Sequence, residues 1–302
     1  MATSVADLQA RFGIPHLIRF EADPRGLTRA VINSPLADAK VYLLGAHVTH
    51  FEPRGQPPVL FLSEQSAFEV GKPIRGGIPV IFPWFGPRAG DASAPMHGFA
   101  RLQEWEVEST AKSGDDVTLV FRLEASGNTR AMWPFGFTLR YTVTVGRELA
   151  VALEVRNTDA KPIKFEEALH TYFALADVRE ASVEGLADVD YVDKADKMKR
   201  KLQGGEPIRI TGETDRVYLA TRTTCTIHDP GNDRRITVAK EKSDATVVWN
   251  PWTAKAKAMA DFGDDEWPRM ICVETCNVAD HAVTLAPGTS HEMKARIGVK
   301  AG

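Results

Sequence analysis

The segment Ile74-Arg75-Gly76-Gly77-Ile78-Pro79-Val80-Ile81-Phe82-Pro83-Trp84-Phe85-Gly86, followed by His97-Gly98-Phe99-Ala100-Arg101, concentrates residue types that hold anions. Paired glycines and prolines break regular structure and let backbone approach a ligand closely. Arg75 and Arg101, set beside such a bend, can grip an oxyanion in a fork of N–H donors. A lone arginine is usually a solvated surface residue. Two of them, placed by glycine-rich backbone near a histidine, fit an anion such as a sugar phosphate better. Arg88 and Lys72 lie close enough in sequence to add to the same pocket.

Proton-transfer chemistry needs an acid and a base, and two strand-like segments carry candidates. In Phe165-Glu166-Glu167-Ala168-Leu169-His170-Thr171-Tyr172-Phe173, a strand would put Glu166, Ala168, His170 and Tyr172 on one face. Phe165, Leu169 and Phe173 take the other face, so His170 sits on the more polar side. Spacing alone favours a structural or surface histidine there over a proton donor. Glu274 lies in Met270-Ile271-Cys272-Val273-Glu274-Thr275-Cys276, among apolar neighbours, with Cys272 and Cys276 on its own face. It reads equally as an edge-strand or ion-paired glutamate and as a desolvated carboxylate whose pKa rises toward that of a useful base.

Other constellations point away from function. His47-x-x-His50 and Glu167-x-x-His170 would converge only on a helix. In strand-like sequence an odd separation sends the two side chains to opposite faces, so no metal centre is expected. The IRGGIP run lacks the strand–turn–helix context of a nucleotide-binding loop.

Taken in order, IRGGIPVIFPWFG, HGFAR, EEALHTYF around His170, VVWNPW at 247–252 and MICVETCNV around Glu274 resemble the hexose-6-phosphate mutarotases. These are the glucose-6-phosphate 1-epimerases of the aldose 1-epimerase (galactose mutarotase-like) superfamily. The likeness runs from about Gly45 to about Gly298. It implies a large antiparallel β-supersandwich with few short helices and a site on a concave sheet face. It puts His170 at the position of the catalytic acid and Glu274 at that of the base. Arg75 and Arg101 fall on substrate-binding arginines, Asp215 on an aspartate that binds sugar hydroxyls, and His97 on a histidine that contacts the sugar near its ring oxygen. Read from their surroundings, His97 could equally fix its loop and Asp215 could start a strand. Met96 departs from the pattern, since a substrate-contacting glutamine is frequent there.

The implied reaction interconverts the α and β anomers of hexose 6-phosphates, chiefly glucose 6-phosphate, with no metal or organic cofactor. A base takes the C1 hydroxyl proton while an acid protonates the ring oxygen, and the two exchange roles when the ring recloses. A carboxylate and an imidazole span the pKa range this needs near neutrality. One alternative is an epimerase of unphosphorylated aldoses, which the arginine pair disfavours. Another is a non-catalytic carbohydrate-binding protein on the same fold, which would need neither acid nor base.

The elements that must position these groups are strands. Val117, Leu119, Phe121 and Leu123 share a face opposite Thr118, Val120 and Arg122, Phe137, Leu139, Tyr141, Val143 and Val145 oppose Thr138, Arg140, Thr142 and Thr144, and Leu149, Val151, Leu153 and Val155 form another row. Such alternation, punctuated by turns at Asp229–Asp233 and Ala286–Thr289, predicts an antiparallel sandwich. Residues 1–302 read as one domain, with 1–20 as an extension in which residues 4–12 can form a short helix. The charged run Asp188 to Lys201 reads as a solvated loop or short helix.

Composition narrows the rest. At 43% hydrophobic residues, a chain of 302 can bury a substantial core. A net charge of −3 provides no general attraction to nucleic acid or anionic membrane. The odd set Cys225, Cys272 and Cys276, without a CxxC pair, argues against a disulfide framework. Met1 to Pro15 carries Asp7 and Arg11 and does not look like a signal peptide. These features lead us to expect a cytoplasmic monomer that acts on a small sugar phosphate and has neither nucleic-acid nor membrane partners.

Overall fold

Alternating strands dominate the computed structural model, which describes residues 3–302. They assemble into two eight-stranded sheets, a four-stranded sheet and a two-stranded ribbon, and every strand pair in them is antiparallel. The expected sandwich architecture is therefore what the chain adopts.

One eight-stranded sheet carries the clearest alternation. Its strands Asp116–Glu124, Phe137–Val145 and Leu149–Asn157 run side by side, with Phe121 opposite Tyr141 and Tyr141 opposite Leu153. Phe137, Leu139, Tyr141, Val143 and Val145 are buried, while Thr138, Arg140, Thr142 and Thr144 face outward. The Asp229–Asp233 turn joins Cys225–Asp229 to its partner Arg234–Glu241, as its residues predict. The Ala286–Thr289 turn also joins two strands, but these do not pair with each other. Val283–Leu285 pairs with Ile163–Phe165, and Ser290–Ala301 lies between Leu149–Asn157 and Arg234–Glu241.

The second eight-stranded sheet runs in the order Lys199–Leu202, Asp190–Asp193, Thr214–Leu219, Ala245–Asn250, Met270–Asn277, Glu167–Leu169, Val80–Ile81, and Tyr172–Ala174 also pairs with Met270–Asn277. Its central strands Ala245–Asn250 and Met270–Asn277 are buried at every position, so both of their faces are covered. A contiguous apolar cluster links the two sheets, and Phe82, which follows Val80–Ile81 of the second, packs against Phe137 of the first and against Phe165 of the ribbon.

The charged run at 188–201 departs from expectation. It forms a β-hairpin in which Asp190–Asp193 pairs with Lys199–Leu202 and with Thr214–Leu219. Two features order it. Tyr191 packs on Tyr218 at a ring separation of 5.0 Å. Lys199 and Lys201 neutralise Asp193 and Asp196 locally. The N-terminal helix spans Val5–Phe12, is capped by Ser4, and buries Leu8 and Phe12. Two further short helices, Gly127–Met132 and Trp252–Ala258, complete the α-helical content among the described residues.

Candidate active site

A break in a strand creates the centre of the site. Glu167–Leu169 pairs with the end of Met270–Asn277, and Tyr172–Ala174 pairs with its beginning. Between them His170 and Thr171 leave the ladder, and the His170 N–H donates to the Pro79 carbonyl instead. Leu169 opposes Thr275, so the next position brings His170 opposite Glu274. Their side chains meet, with Nε2 of His170 3.3 Å from Oε1 of Glu274. Both are buried, at 7% and 1% exposure, and His170 Nδ1 and Glu274 Oε2 have no hydrogen-bond partner.

Burial drives the two groups in opposite directions. It pushes the Glu274 carboxyl well up, with Asp215 adding repulsion against the ionised form. It pushes the His170 imidazole well down, and the positive charges of Arg101, Arg75 and Lys194 act in the same direction. An uncharged pair sharing one proton is the state that such a site favours.

Around this pair the sheet builds a row. Asp215, Trp249, Cys272 and Tyr172 oppose one another across successive strands and therefore share a face. The Tyr172 ring stacks on His170 at 4.8 Å, and Trp249 stands edge-on to both rings. Asp215 is 8% exposed, leaves Oδ1 without a partner, and has its pKa raised by burial. His97 reaches the row from the Gly/Pro-rich loop, and its ring stands edge-on to His170 at 5.6 Å. The Gly86 N–H donates to His97 Nδ1, so the neutral ring carries its proton on Nε2. Burial, Arg101 and His170 together lower the His97 pKa well below the usual value.

Glycine holds the arginine-bearing backbone close. A Cβ at Gly77 (φ 62°) would lie 2.3 Å from the Val48 carbonyl oxygen, and one at Gly98 (φ 72°) would lie 2.0 Å from that of Phe82. Only glycine fits either position. The two arginines that this backbone presents are not equivalent. Arg75 is ion-paired with Asp261 at 3.0 Å and donates to the Tyr172 hydroxyl at 2.9 Å. Burial disfavours its charge, but Tyr172 and Asp261 hold its pKa above the ordinary value. Arg101 is 7% exposed, donates through Nη2 to the Met96 carbonyl, and leaves Nε without a partner. No carboxylate pairs with it among the described residues. Burial, followed by the charge of Arg75, lowers its pKa to about 10.

The six residues singled out from the sequence, His170, Glu274, Arg75, His97, Arg101 and Asp215, thus lie in one continuous constellation. Arg88 and Lys72 do not join it through any contact. Arg88 stacks on Trp84 and donates to the Met132 carbonyl, and Lys72 forms an exposed pair with Glu69. Glu166 turns to a structural task, accepting from the Phe85 and Ala279 N–H groups. Two charged residues of the constellation escaped sequence reasoning. Asp261 comes from a loop pinned by Glu266, which accepts from Ser63, Glu64 and Gly263. Lys194 comes from the charged hairpin. A charged side chain in a polar, non-periodic segment is too common a pattern to have marked either.

A profile of the aldose 1-epimerase family matches residues 29–298. A protein of Escherichia coli K12 named "Putative glucose-6-phosphate 1-epimerase" is 36% identical over 252 residues, 83% of this chain and 83% of its own. A protein of the same name from Cenchrus ciliaris is 35% identical over 288 residues, 92% of this chain and 86% of its own. The crystal structure of "a putative mutarotase" from Salmonella typhimurium superposes with a TM-score of 0.89 at 31% identity, covering 95% of this chain and 94% of that one.

Proposed function

The chain belongs to the aldose 1-epimerase family, and on that premise we propose that it is a hexose-6-phosphate 1-epimerase in which Glu274 and His170 move the protons. The observation that carries this reading is their 3.3 Å contact. The C1 hydroxyl and the ring oxygen are bonded to the same carbon, so an acid and a base serving both must be neighbouring side chains, as these two are.

On this reading the steps run as follows. The entering C1 hydroxyl and ring oxygen part the His170–Glu274 contact and supply the partners that the buried pair lacks. Glu274, as carboxylate, takes the C1 hydroxyl proton, and His170, as imidazolium, gives a proton to the ring oxygen. The ring opens to an aldehyde, rotation about C1–C2 exposes the other carbonyl face, and reclosure reverses both transfers. His97 offers its Nε2–H to the ring oxygen side, and Asp215 accepts from sugar hydroxyls.

The phosphate is read by Arg101 together with Arg75. A buried guanidinium without a counter-charge is costly to hold alone and is repaid when an anion arrives. The same charges suppress protonation of His170, so a bound dianion raises the imidazole's proton affinity when an acid is required. An epimerase of free sugars would gain nothing from carrying that charge.

Two-dimensional exchange NMR of glucose 6-phosphate tests the reading. We expect α/β exchange to be faster with the protein than in buffer alone and unaffected by chelator. No acceleration with any of several hexose 6-phosphates would refute it.

A further inference from the structure

Lys194 belongs to the hairpin whose charges look like solvated surface, yet it turns into the site. Its backbone N–H donates to the Asp215 carbonyl at 2.8 Å, anchoring it beside that residue. Its ammonium lies 3.6 Å from Asp215 Oδ2 and 5.2 Å from the centre of the Phe85 ring. Phe85 in turn packs edge-on against His97 at 4.8 Å. The charge of Lys194 is felt at His97, His170 and Glu274. Lys255, also near Asp215 at 4.0 Å, is committed to Glu213 at 3.0 Å.

An ammonium has three N–H donors. Beyond its ion pair with Asp215 and its place over the Phe85 ring, the partly exposed Lys194 ammonium makes no hydrogen bond to the protein among the described residues. Asp215 likewise has Oδ1 unengaged while being 8% exposed. A free donor and a free acceptor therefore sit side by side, which suits hydroxyl groups that both accept and donate.

The row of the sheet says which hydroxyls these are. Tyr172, which binds Arg75, and Asp215 stand three strands apart in register, roughly 14 Å at the usual strand spacing. Glu274, on the same strand as Cys272, lies between them, and it meets His170, which stacks on Tyr172 at the arginine side. With the phosphate at the arginine end and C1 at the centre, C5 and the ring oxygen point toward the arginines. C2 and C3 then point toward Asp215 and Lys194.

We propose that Lys194 is a specificity-determining residue whose ammonium, paired with Asp215, holds the C2 and C3 hydroxyls on the flank of the sugar remote from its phosphate. This rests on the hexose-6-phosphate reading above. Lys194, rather than Met96, then sets which hexose the site prefers at these carbons.

The test measures kcat/KM for anomer exchange with glucose 6-phosphate, 2-deoxyglucose 6-phosphate and 3-deoxyglucose 6-phosphate. It uses wild type, Lys194→Met and Lys194→Arg. A charge-assisted hydrogen bond corresponds to roughly a 10–100-fold effect. Lys194→Met should lose that much on glucose 6-phosphate, and Lys194→Arg should recover part of it. On at least one deoxy sugar, wild type and Lys194→Met should converge to within a few-fold, because the contact is already missing there. Equal losses on all three sugars would mean that Lys194 serves the fold, and no loss would mean that it touches no substrate; either overturns the proposal while leaving wild-type activity intact. A wild type inactive on every hexose 6-phosphate would instead refute the functional reading, and this proposal with it.

Discussion

Two buried glutamates of the same sheet each meet an imidazole, and the two contacts differ in what surrounds them. His170 meets Glu274 at 3.3 Å, and His291 meets Glu167 at 3.0 Å. Both glutamates are essentially inaccessible, and each leaves Oε2 without a partner. Glu167 also accepts from Asn277 Nδ2 at 2.8 Å, and Asn277 in turn binds the Lys242 carbonyl and the Asp244 N–H. Its pair is therefore woven into the ends of three strands. Glu274 has no such donor. Its imidazole also lacks a partner at Nδ1, and Arg101, Arg75, Lys194 and Asp215 set the field around it. A carboxylate–histidine contact does not by itself mark an active site. What matters is whether the protein completes the hydrogen bonding or leaves it for a ligand.

The largest test of this contrast is activity. Glu274→Gln and His170→Asn should each lower kcat by roughly 10²–10⁴-fold, the range for one positioned proton-transfer group. The double variant should lose far less than the product of the two, because the residues act as a unit. Glu167→Gln should stay within a few-fold of wild type in the same exchange assay. Equal losses at the two pairs would erase the distinction.

The arginines sharpen it from the side of charge. Arg101→Ala should cost roughly 10–100-fold in kcat/KM for glucose 6-phosphate, given about 1.5–3 kcal/mol for a charge-assisted contact, and should spare activity on glucose. Arg75→Ala should cost less, because Asp261 already neutralises part of that charge. The ratio of kcat/KM for phosphorylated over free sugar reads both effects.

Stability should move in opposite directions at the two pairs. The folded-state pKa of Glu274 is raised, so its contribution favours folding at low pH and is lost as pH rises through that value. Glu274→Gln removes the penalty and should exceed wild type in denaturant resistance at pH 8, with the advantage vanishing below about pH 4. Glu167→Gln weakens a charge-assisted hydrogen bond and should lose about 1 kcal/mol. A destabilised Glu274→Gln at pH 8 would contradict the account of burial.

The smallest effect is in the titration of His170. Burial comes first and Arg101 second in lowering its pKa. In Arg101→Ala the imidazole should titrate at higher pH than in wild type, as followed by its ring proton shifts. An unchanged midpoint would mean that the charge of Arg101 does not reach His170.

Residue types and periodicity determined a good deal by themselves. Alternation at 117–123, 137–145 and 149–155 is enough to specify an antiparallel sandwich, because each of those strands has one face on the core and one in solvent. The order of short motifs pointed to His170, Glu274, Arg75, Arg101, His97 and Asp215 as candidates. Tertiary structure decided the rest, for two physical reasons. Met270–Asn277 is buried on both faces, so alternation vanishes there, and nothing local tells Glu274, beside a strand break, from Glu167, tied to Asn277. Charges also find partners through space: Arg75 meets Asp261 across 186 residues of chain, and Lys194 leaves an apparently solvated run to stand beside Asp215. Sequence spacing encodes which face of a strand a side chain takes, but only packing decides which charges are matched and which are left for a substrate.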